Sequence, residues 1–167
     1  MRNTIFIEAA LAAVLMTGPA LSQELDGCWT RAYDKDHLRG QPGQVVEKIM
    51  FGAFPGSDGK TATADLVVVA ANQGHAARAG LGGQKLVQYL FCQADKTAGA
   101  GWRCASECDS GSLEITRIDD KMLEIRTDYL MVDGSETCGG ALDLAEKPGQ
   151  FVTYRLYRPS GPNCGWE

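Results

Sequence analysis

The six cysteines are the residues of this 167-residue chain that could most directly do chemistry, by binding a metal, exchanging electrons or forming disulfides. They are Cys28, Cys92, Cys104, Cys108, Cys138 and Cys164. A structural zinc site or a dithiol redox site typically needs a C-x-x-C pair, and the sequence contains none. We therefore predict no metal site. The even count favours disulfides, provided that the chain reaches an oxidising compartment.

Residues for acid–base or nucleophilic catalysis are scarce. His37 and His75 are the two histidines of the sequence, and both fall in predicted loops. A G-x-S-x-G nucleophile elbow, a P-loop and a glycine-rich dinucleotide fingerprint are all missing from the sequence. The segment 34–36 begins like a calcium loop, but Arg39 stands where that loop requires glycine. The sequence thus favours a non-enzyme and predicts no cofactor; carboxylate-only chemistry stays open as an alternative.

Residues 1–22 have the features of a secretory signal peptide. Arg2 gives the positive start, residues 5–16 form an apolar run, and Ala20 and Ser22 occupy the small-residue positions before a cut after residue 22. The run is shorter than the roughly 20 residues that span a bilayer, so we expect no transmembrane segment in the mature form. We predict a periplasmic or secreted protein, with residues 23–167 forming one domain.

Eight short segments in the mature part are typical of β-strands separated by turns: 25–33, 44–54, 61–71, 84–94, 101–106, 112–118, 122–131 and 150–158. Alternation of apolar and polar residues is clearest in 61–71, where every second residue from Ala62 to Ala70 is apolar. Helical turns are expected at 34–40 and 140–146. An antiparallel eight-stranded up-and-down β-barrel is the predicted fold, because closure removes the exposed edges of the sheet. A β-sandwich is the alternative.

The string Gly27-Cys28-Trp29 on the first strand resembles the G-x-W signature of the calycins, the superfamily of lipocalins and avidins. In calycins this tryptophan lies at the closed end of the barrel, and an arginine near the end of the last strand packs over its indole. Arg158 holds the corresponding place here. The resemblance therefore implies a structural Trp29–Arg158 pair and supports the barrel over the sandwich.

A second resemblance covers most of the mature chain. The string Cys28-Trp29-x-Arg31-x-Tyr33, followed by His37-Leu38, is similar to a family of proteobacterial exported proteins, and this resemblance brings no activity with it.

Barrel geometry favours one disulfide pairing among the fifteen that six cysteines allow. Cys92 and Cys104 flank the hairpin of the fourth and fifth strands almost symmetrically. The last strand ends where the first begins, which favours a Cys28–Cys164 bond. Cys108–Cys138 then remains, and would fix the long loop 133–149.

An eight-stranded barrel can hold one small ligand inside. We expect Tyr89, Phe91 and Tyr129 to line that interior and to bind a small, partly apolar molecule. The alternative is a protein-binding module of the cell envelope, such as a hydrolase inhibitor, that presents its loops to a partner protein. The chain has a net charge of −5, and its sequence contains no basic stripe. Both features argue against a nucleic-acid partner.

Overall fold

The computed structural model describes residues 24–107, 109–132, 140–161 and 164. The predicted signal peptide and the predicted Cys108–Cys138 bond lie outside the described residues. None of the described helices has the length and apolar character needed to cross a membrane.

The described chain is mostly β-strand, as the sequence predicts. The elements in chain order are β1 (Gly27–Ala32), α1 (Lys35–Gly40), β2 (Val46–Pro55), β3 (Thr61–Ala70), α2 (Gly74–Arg78), β4 (Lys85–Ala94), β5 (Trp102–Ser106), β6 (Gly111–Ile118), β7 (Met122–Val132), β8 (Leu142–Asp143) and β9 (Val152–Tyr157).

Eight of these strands form a closed antiparallel barrel, which confirms the predicted fold over the sandwich. Strands β1 to β7 pair in chain order, and β9 lies between β7 and β1. The short strand β8 pairs with the end of β7 outside the barrel. The junction of β1 and β9, which we call the seam, contains a single described residue pair, Thr30 with Tyr157. The barrel therefore closes through its narrowest ladder.

The two ends of the barrel differ. Short connections join β2 to β3, β4 to β5 and β6 to β7 at the end where β1 begins, which we call the motif end. The opposite end carries α1, α2 and β8, and we call it the helix end. Helix α1 confirms the turn expected at 34–40, and Asp34 caps it by accepting a hydrogen bond from the His37 backbone N–H at 2.7 Å. The turn expected at 140–146 is instead the strand β8, and α2 was not predicted.

Large side chains fill the barrel interior among the described residues. Trp29, Phe51, Trp102 and Tyr154 are fully buried there. Every second residue of β3 from Ala62 to Ala70 is buried, which confirms the face predicted from the alternation. Burying an aliphatic or aromatic side chain stabilises a fold by about 1.5–3 kcal/mol, so this packed interior is the main source of stability.

The expectation that Tyr89, Phe91 and Tyr129 line the interior is contradicted. They lie on the outer surface, and 71%, 47% and 47% of their respective areas are exposed. In β4 the interior positions belong to Leu90 and Cys92, which are buried. Because neighbouring residues of a strand point to opposite faces, Tyr89 and Phe91 must point outward.

Tyr129 points outward for a different reason. The pairing of β6 with β7 passes from Ser112–Tyr129 to Glu114–Arg126, so β7 carries one extra residue between these pairs. Such a bulge shifts the alternation by one position. Thr127 is buried before the bulge and Leu130 after it, which leaves Tyr129 on the surface.

Candidate functional site

The motif end is built around a contact between a guanidinium and an indole. The predicted contact is present: the guanidinium carbon of Arg158 lies 4.5 Å from the centre of the Trp29 ring. Arg158 also donates a hydrogen bond to the Asp26 carbonyl at 3.1 Å. Gly27 has a φ of +119°, and a Cβ on it would collide with the Arg158 guanidinium. The glycine of the motif is therefore explained by both backbone conformation and space.

Two disulfides are formed as predicted. Cys92 and Cys104 face each other across β4 and β5. Cys28 bonds to Cys164 across 136 positions of sequence and ties the start of β1 to the chain beyond β9. Neither bond lies at the concave surface described next.

That concave surface is a cleft of about 380 Å³ next to the seam, which we call the seam cleft. Its lining comes from Arg31 and Tyr33 at the end of β1, from α1 and the turn after it, from Glu146, and from β9. Its volume lies within the roughly 300–1,000 Å³ typical of small-molecule sites. None of Tyr89, Phe91 and Tyr129 contributes to it.

Strand geometry explains why β1 supplies side chains to the seam cleft. Arg31 and Tyr33 follow Trp29 at alternate positions, so all three leave the strand on one side. Trp29 is enclosed by the core, whereas the pairing with β9 stops at Thr30. Beyond that pair the two strands are no longer hydrogen-bonded to each other, and Arg31 and Tyr33 are partly exposed in the gap.

Two tyrosine rings hold the Arg31 side chain. Its guanidinium carbon lies 5.1 Å from the centre of the Tyr33 ring and 5.2 Å from that of Tyr157 across the seam. Within the described residues, no carboxylate oxygen lies within 4.0 Å of the guanidinium. By contrast, Arg126 and Arg155 on the barrel wall each pair with a glutamate. The Arg31 charge is thus fixed in position by aromatic contacts without an ionic partner there.

The phenol of Tyr33, in the wall of the seam cleft, has a perturbed pKa. Burial raises the pKa of its phenol to about 12; the charge of Arg31 opposes this rise, and Tyr157 and Glu146 add to it. The Tyr33 ring also stacks on the His37 ring, with 4.7 Å between centres. A neutral phenol is therefore maintained at one wall of the cleft.

His37 is oriented by Gln44. The Gln44 side-chain N–H donates to the Val46 carbonyl at 2.8 Å, which leaves the Gln44 carbonyl oxygen 2.9 Å from Nε2 of His37. A carbonyl oxygen only accepts, so the Nε2 atom of His37 carries the hydrogen. This hydrogen bond fixes the orientation of the His37 ring and occupies its Nε2 atom.

The opposite wall comes from β9 and the segment before it. Tyr154 is fully buried and donates a hydrogen bond from its hydroxyl to the Leu144 carbonyl at 2.9 Å. Burial raises the pKa of this phenol well above its usual value. The bond anchors the segment that carries Glu146, whose carboxylate lies beside the backbone of Gly43.

The seam cleft combines aromatic, charged and polar side chains. Its lining includes three tyrosines, two arginines, one glutamate and polar side chains of α1 and the following turn. No group of three or more His, Cys, Asp or Glu side chains able to hold a metal occurs in the part of the chain that the structure describes. Comparison with known proteins adds no constraint, because no family model, curated protein or solved structure matches the chain.

Proposed function

We propose that this chain is an exported β-barrel protein that binds a small, partly apolar ligand in the seam cleft. The observation that supports this proposal is the cleft itself, in which tyrosine rings lie beside charged and polar side chains. Such a mixture is typical of small-molecule sites, where apolar surface supplies affinity and a few polar atoms fix orientation. The site lies at the seam and not in the interior, since large side chains occupy the interior.

Export is part of the same proposal. Two disulfides are typical of proteins of the periplasm or the extracellular space. Together with the leader-like residues 1–22, they support a location outside the cytoplasm. A fusion of residues 1–30 to a reporter that is active only after export tests this part directly. A fusion protein that stays in the cytoplasm and shows no reporter activity would contradict it.

Ligand binding is tested with one variant in the seam cleft and one matched variant outside it. A thermal-shift screen of small aromatic and aliphatic compounds identifies a binder, and calorimetry gives its dissociation constant. Tyr157→Ala removes an aromatic wall and should weaken binding about tenfold or more, since an aromatic side chain contributes roughly 1.5–3 kcal/mol through burial. Tyr89→Ala is the control, because Tyr89 is 71% exposed and lies outside the cleft. A binder that responds to Tyr89→Ala and not to Tyr157→Ala would refute the assigned site.

A protein-binding module is the second candidate, and one observation favours it. On the outer face of the barrel, Phe54 of β2 and Phe91 of β4 lie directly on either side of Thr63 of β3. Their exposed fractions are 56% and 47%. Exposed aromatic clusters often mark protein contacts. The partner would be an envelope protein that presents a complementary apolar surface to this row.

Site-specific photo-crosslinking in cells separates this candidate from the first. A photoreactive residue at position 91 should give one discrete protein adduct, whereas the same residue at the exposed position Lys121 should give none. Equal labelling at both positions, or no adduct at position 91, would eliminate the protein-binding candidate and leave the ligand-binding proposal untouched.

A further inference from the structure

We propose that the ligand of the seam cleft is a zwitterion with an apolar body, whose anionic group binds Arg31 and whose cationic group binds Glu146. This inference rests on the ligand-binding function proposed above and specifies its chemical class. The seam cleft holds two opposite charges that have no ionic partner among the described residues, and both are positioned by their surroundings.

Arg31 provides the site for the anionic group. Its guanidinium is confined between the rings of Tyr33 and Tyr157, at 5.1 and 5.2 Å from their centres. Among the described residues the Arg31 side chain donates no hydrogen bond, so its N–H groups are available to a ligand. A guanidinium edge matches a carboxylate with two parallel hydrogen bonds, and such charge-assisted bonds are among the strongest in proteins. The apolar body of the ligand would then lie against Tyr157, because the Tyr33 ring already contacts both Arg31 and His37.

Glu146 provides the site for the cationic group. Its side chain is half-buried, and one carboxylate oxygen would lie 3.5 Å from a Cβ placed on Gly43, so the backbone there confines it. Within the described part of the chain, no cation lies within 4.0 Å of this carboxylate. A half-buried carboxylate without a partner loses part of its hydration, and an ammonium group restores that loss.

The two charges share one neighbour and remain apart. Arg31 and Glu146 act on the phenol of Tyr33 in opposite directions, the first lowering its pKa and the second raising it. Both therefore lie near Tyr33, yet they form no ion pair with each other. Arg155 also lines the cleft, but it is already engaged with Glu124 at 2.7 Å. Among its described lining residues, the cleft thus presents one cation and one anion without an ionic partner, and both act on Tyr33.

A ligand with a single charge would satisfy half of this arrangement. A monoanion would leave Glu146 facing the bound molecule, and a monocation would leave Arg31 in the same position. Like charges near each other and unpaired polar groups both oppose binding, so complementary charges provide selectivity as well as affinity. A zwitterion satisfies both groups at once.

Calorimetric titration of the purified chain with three matched compounds tests the inference. L-phenylalanine carries both charges, 3-phenylpropionate carries the anion alone, and 2-phenylethylamine carries the cation alone. We expect L-phenylalanine to bind about tenfold or more tightly than either analogue, as one charge-assisted hydrogen bond predicts. The dipeptide alanyl-phenylalanine is titrated beside them, because its charges are farther apart. The tighter of the two zwitterions distinguishes a free amino acid from a peptide as the source.

Variants assign each charge to its site. Arg31→Gln should remove the advantage of the zwitterion over the amine, and Glu146→Gln should remove its advantage over the acid. Arg31→Lys keeps the charge without the guanidinium edge and should give an intermediate loss. Arg78→Gln and Glu107→Gln are the controls, since both residues are exposed and lie outside the cleft. Thermal unfolding of each variant confirms that it is folded before it is titrated.

The outcomes separate this inference from the proposed function. Equal affinities for the three phenyl compounds, or affinities unchanged by Arg31→Gln and Glu146→Gln, would overturn the zwitterion. The same holds if all of these compounds fail to bind while a neutral compound from the screen binds and responds to Tyr157→Ala; in that case the ligand-binding function stands. If no compound of any charge class binds, both proposals fail.

Discussion

Replacing Gly27 by alanine tests the physical reading of the G-x-W motif. Gly27 adopts a φ of +119°, in a region that side chains rarely enter, and a Cβ there would meet the Arg158 guanidinium. The substitution therefore strains the backbone and displaces Arg158 from Trp29 and from the Asp26 carbonyl. We expect a folded but clearly less stable protein.

The magnitude follows from these separate losses. Backbone strain for alanine in such a conformation is about 1–3 kcal/mol. The displaced Arg158 loses a cation–π contact worth about 0.5–1 kcal/mol at an exposed site. It also loses a hydrogen bond to the Asp26 carbonyl worth about 1 kcal/mol. The free energy of unfolding should therefore fall by roughly 3 kcal/mol. About half of this loss arises from the contacts of the Arg158 side chain, so it should disappear when that side chain is removed.

Urea unfolding under non-reducing conditions measures this in a double-mutant cycle with Arg158→Ala. Once Arg158 is truncated, Gly27→Ala should retain only the backbone strain, so the two substitutions should couple by about 1.5 kcal/mol. Gly59→Ala is a matched control, because Gly59 also has a positive φ, of 62°, but a Cβ on it would meet nothing. Gly27→Ala and Gly59→Ala with equal effects, and no coupling to Arg158, would refute the close-approach explanation.

Three further outcomes are expected from the described side chains. In urea unfolding, Leu90→Ala should lower the free energy of unfolding by about 2–5 kcal/mol, and Tyr89→Ala should lower it by less than about 0.5 kcal/mol. The reverse order would show that the two faces of β4 are assigned the wrong way round. Tyr154→Phe removes the hydrogen bond to the buried Leu144 carbonyl and should cost about 1–2 kcal/mol in the same assay, so an unchanged midpoint would contradict the bond. The phenol of Tyr33 should titrate near pH 12 in ultraviolet absorbance. Between about pH 10 and pH 12 the folded state keeps a proton that the unfolded state loses, so the free energy of unfolding should fall over this range. The Tyr33→Phe variant should show a shallower fall. A phenol that titrates at the ordinary tyrosine value would disprove the burial argument.

The strands and their order could be predicted because local signals agree with the fold. Alternation in 61–71 identifies the buried face of β3, and turn residues separate the strands. Closure of the barrel was predictable from the same pattern together with Trp29 and Arg158. The buried face of β4 could not be predicted, because apolar residues stand on both faces of this strand. Leu90 and Cys92 lie on one face, and Tyr89 and Phe91 lie on the other. In the structure, Cys92 bonds to Cys104 and is buried, and Leu90 is buried on the same side of β4.

The candidate site was beyond the reach of sequence patterns for a topological reason. Arg31, Glu146 and Tyr157 come from opposite ends of the chain and meet only because β9 closes the barrel beside β1. The gap between these strands depends on where their pairing stops, and no residue type marks that position. Tyr129 shows the same limit at shorter range, because the β7 bulge that turns it outward has no glycine or proline to announce it.

The bond between Cys28 and Cys164 has a topological consequence. It joins the first barrel strand to the chain beyond the last one, so the covalent ring it closes contains all eight barrel strands. A protease that cleaves one loop, for example within 72–83, converts this ring into an open chain without releasing any fragment. The new ends lie at the cut, and the old ends remain linked. A single nick therefore produces a circular permutant of the barrel held together by sulfur in place of a peptide bond.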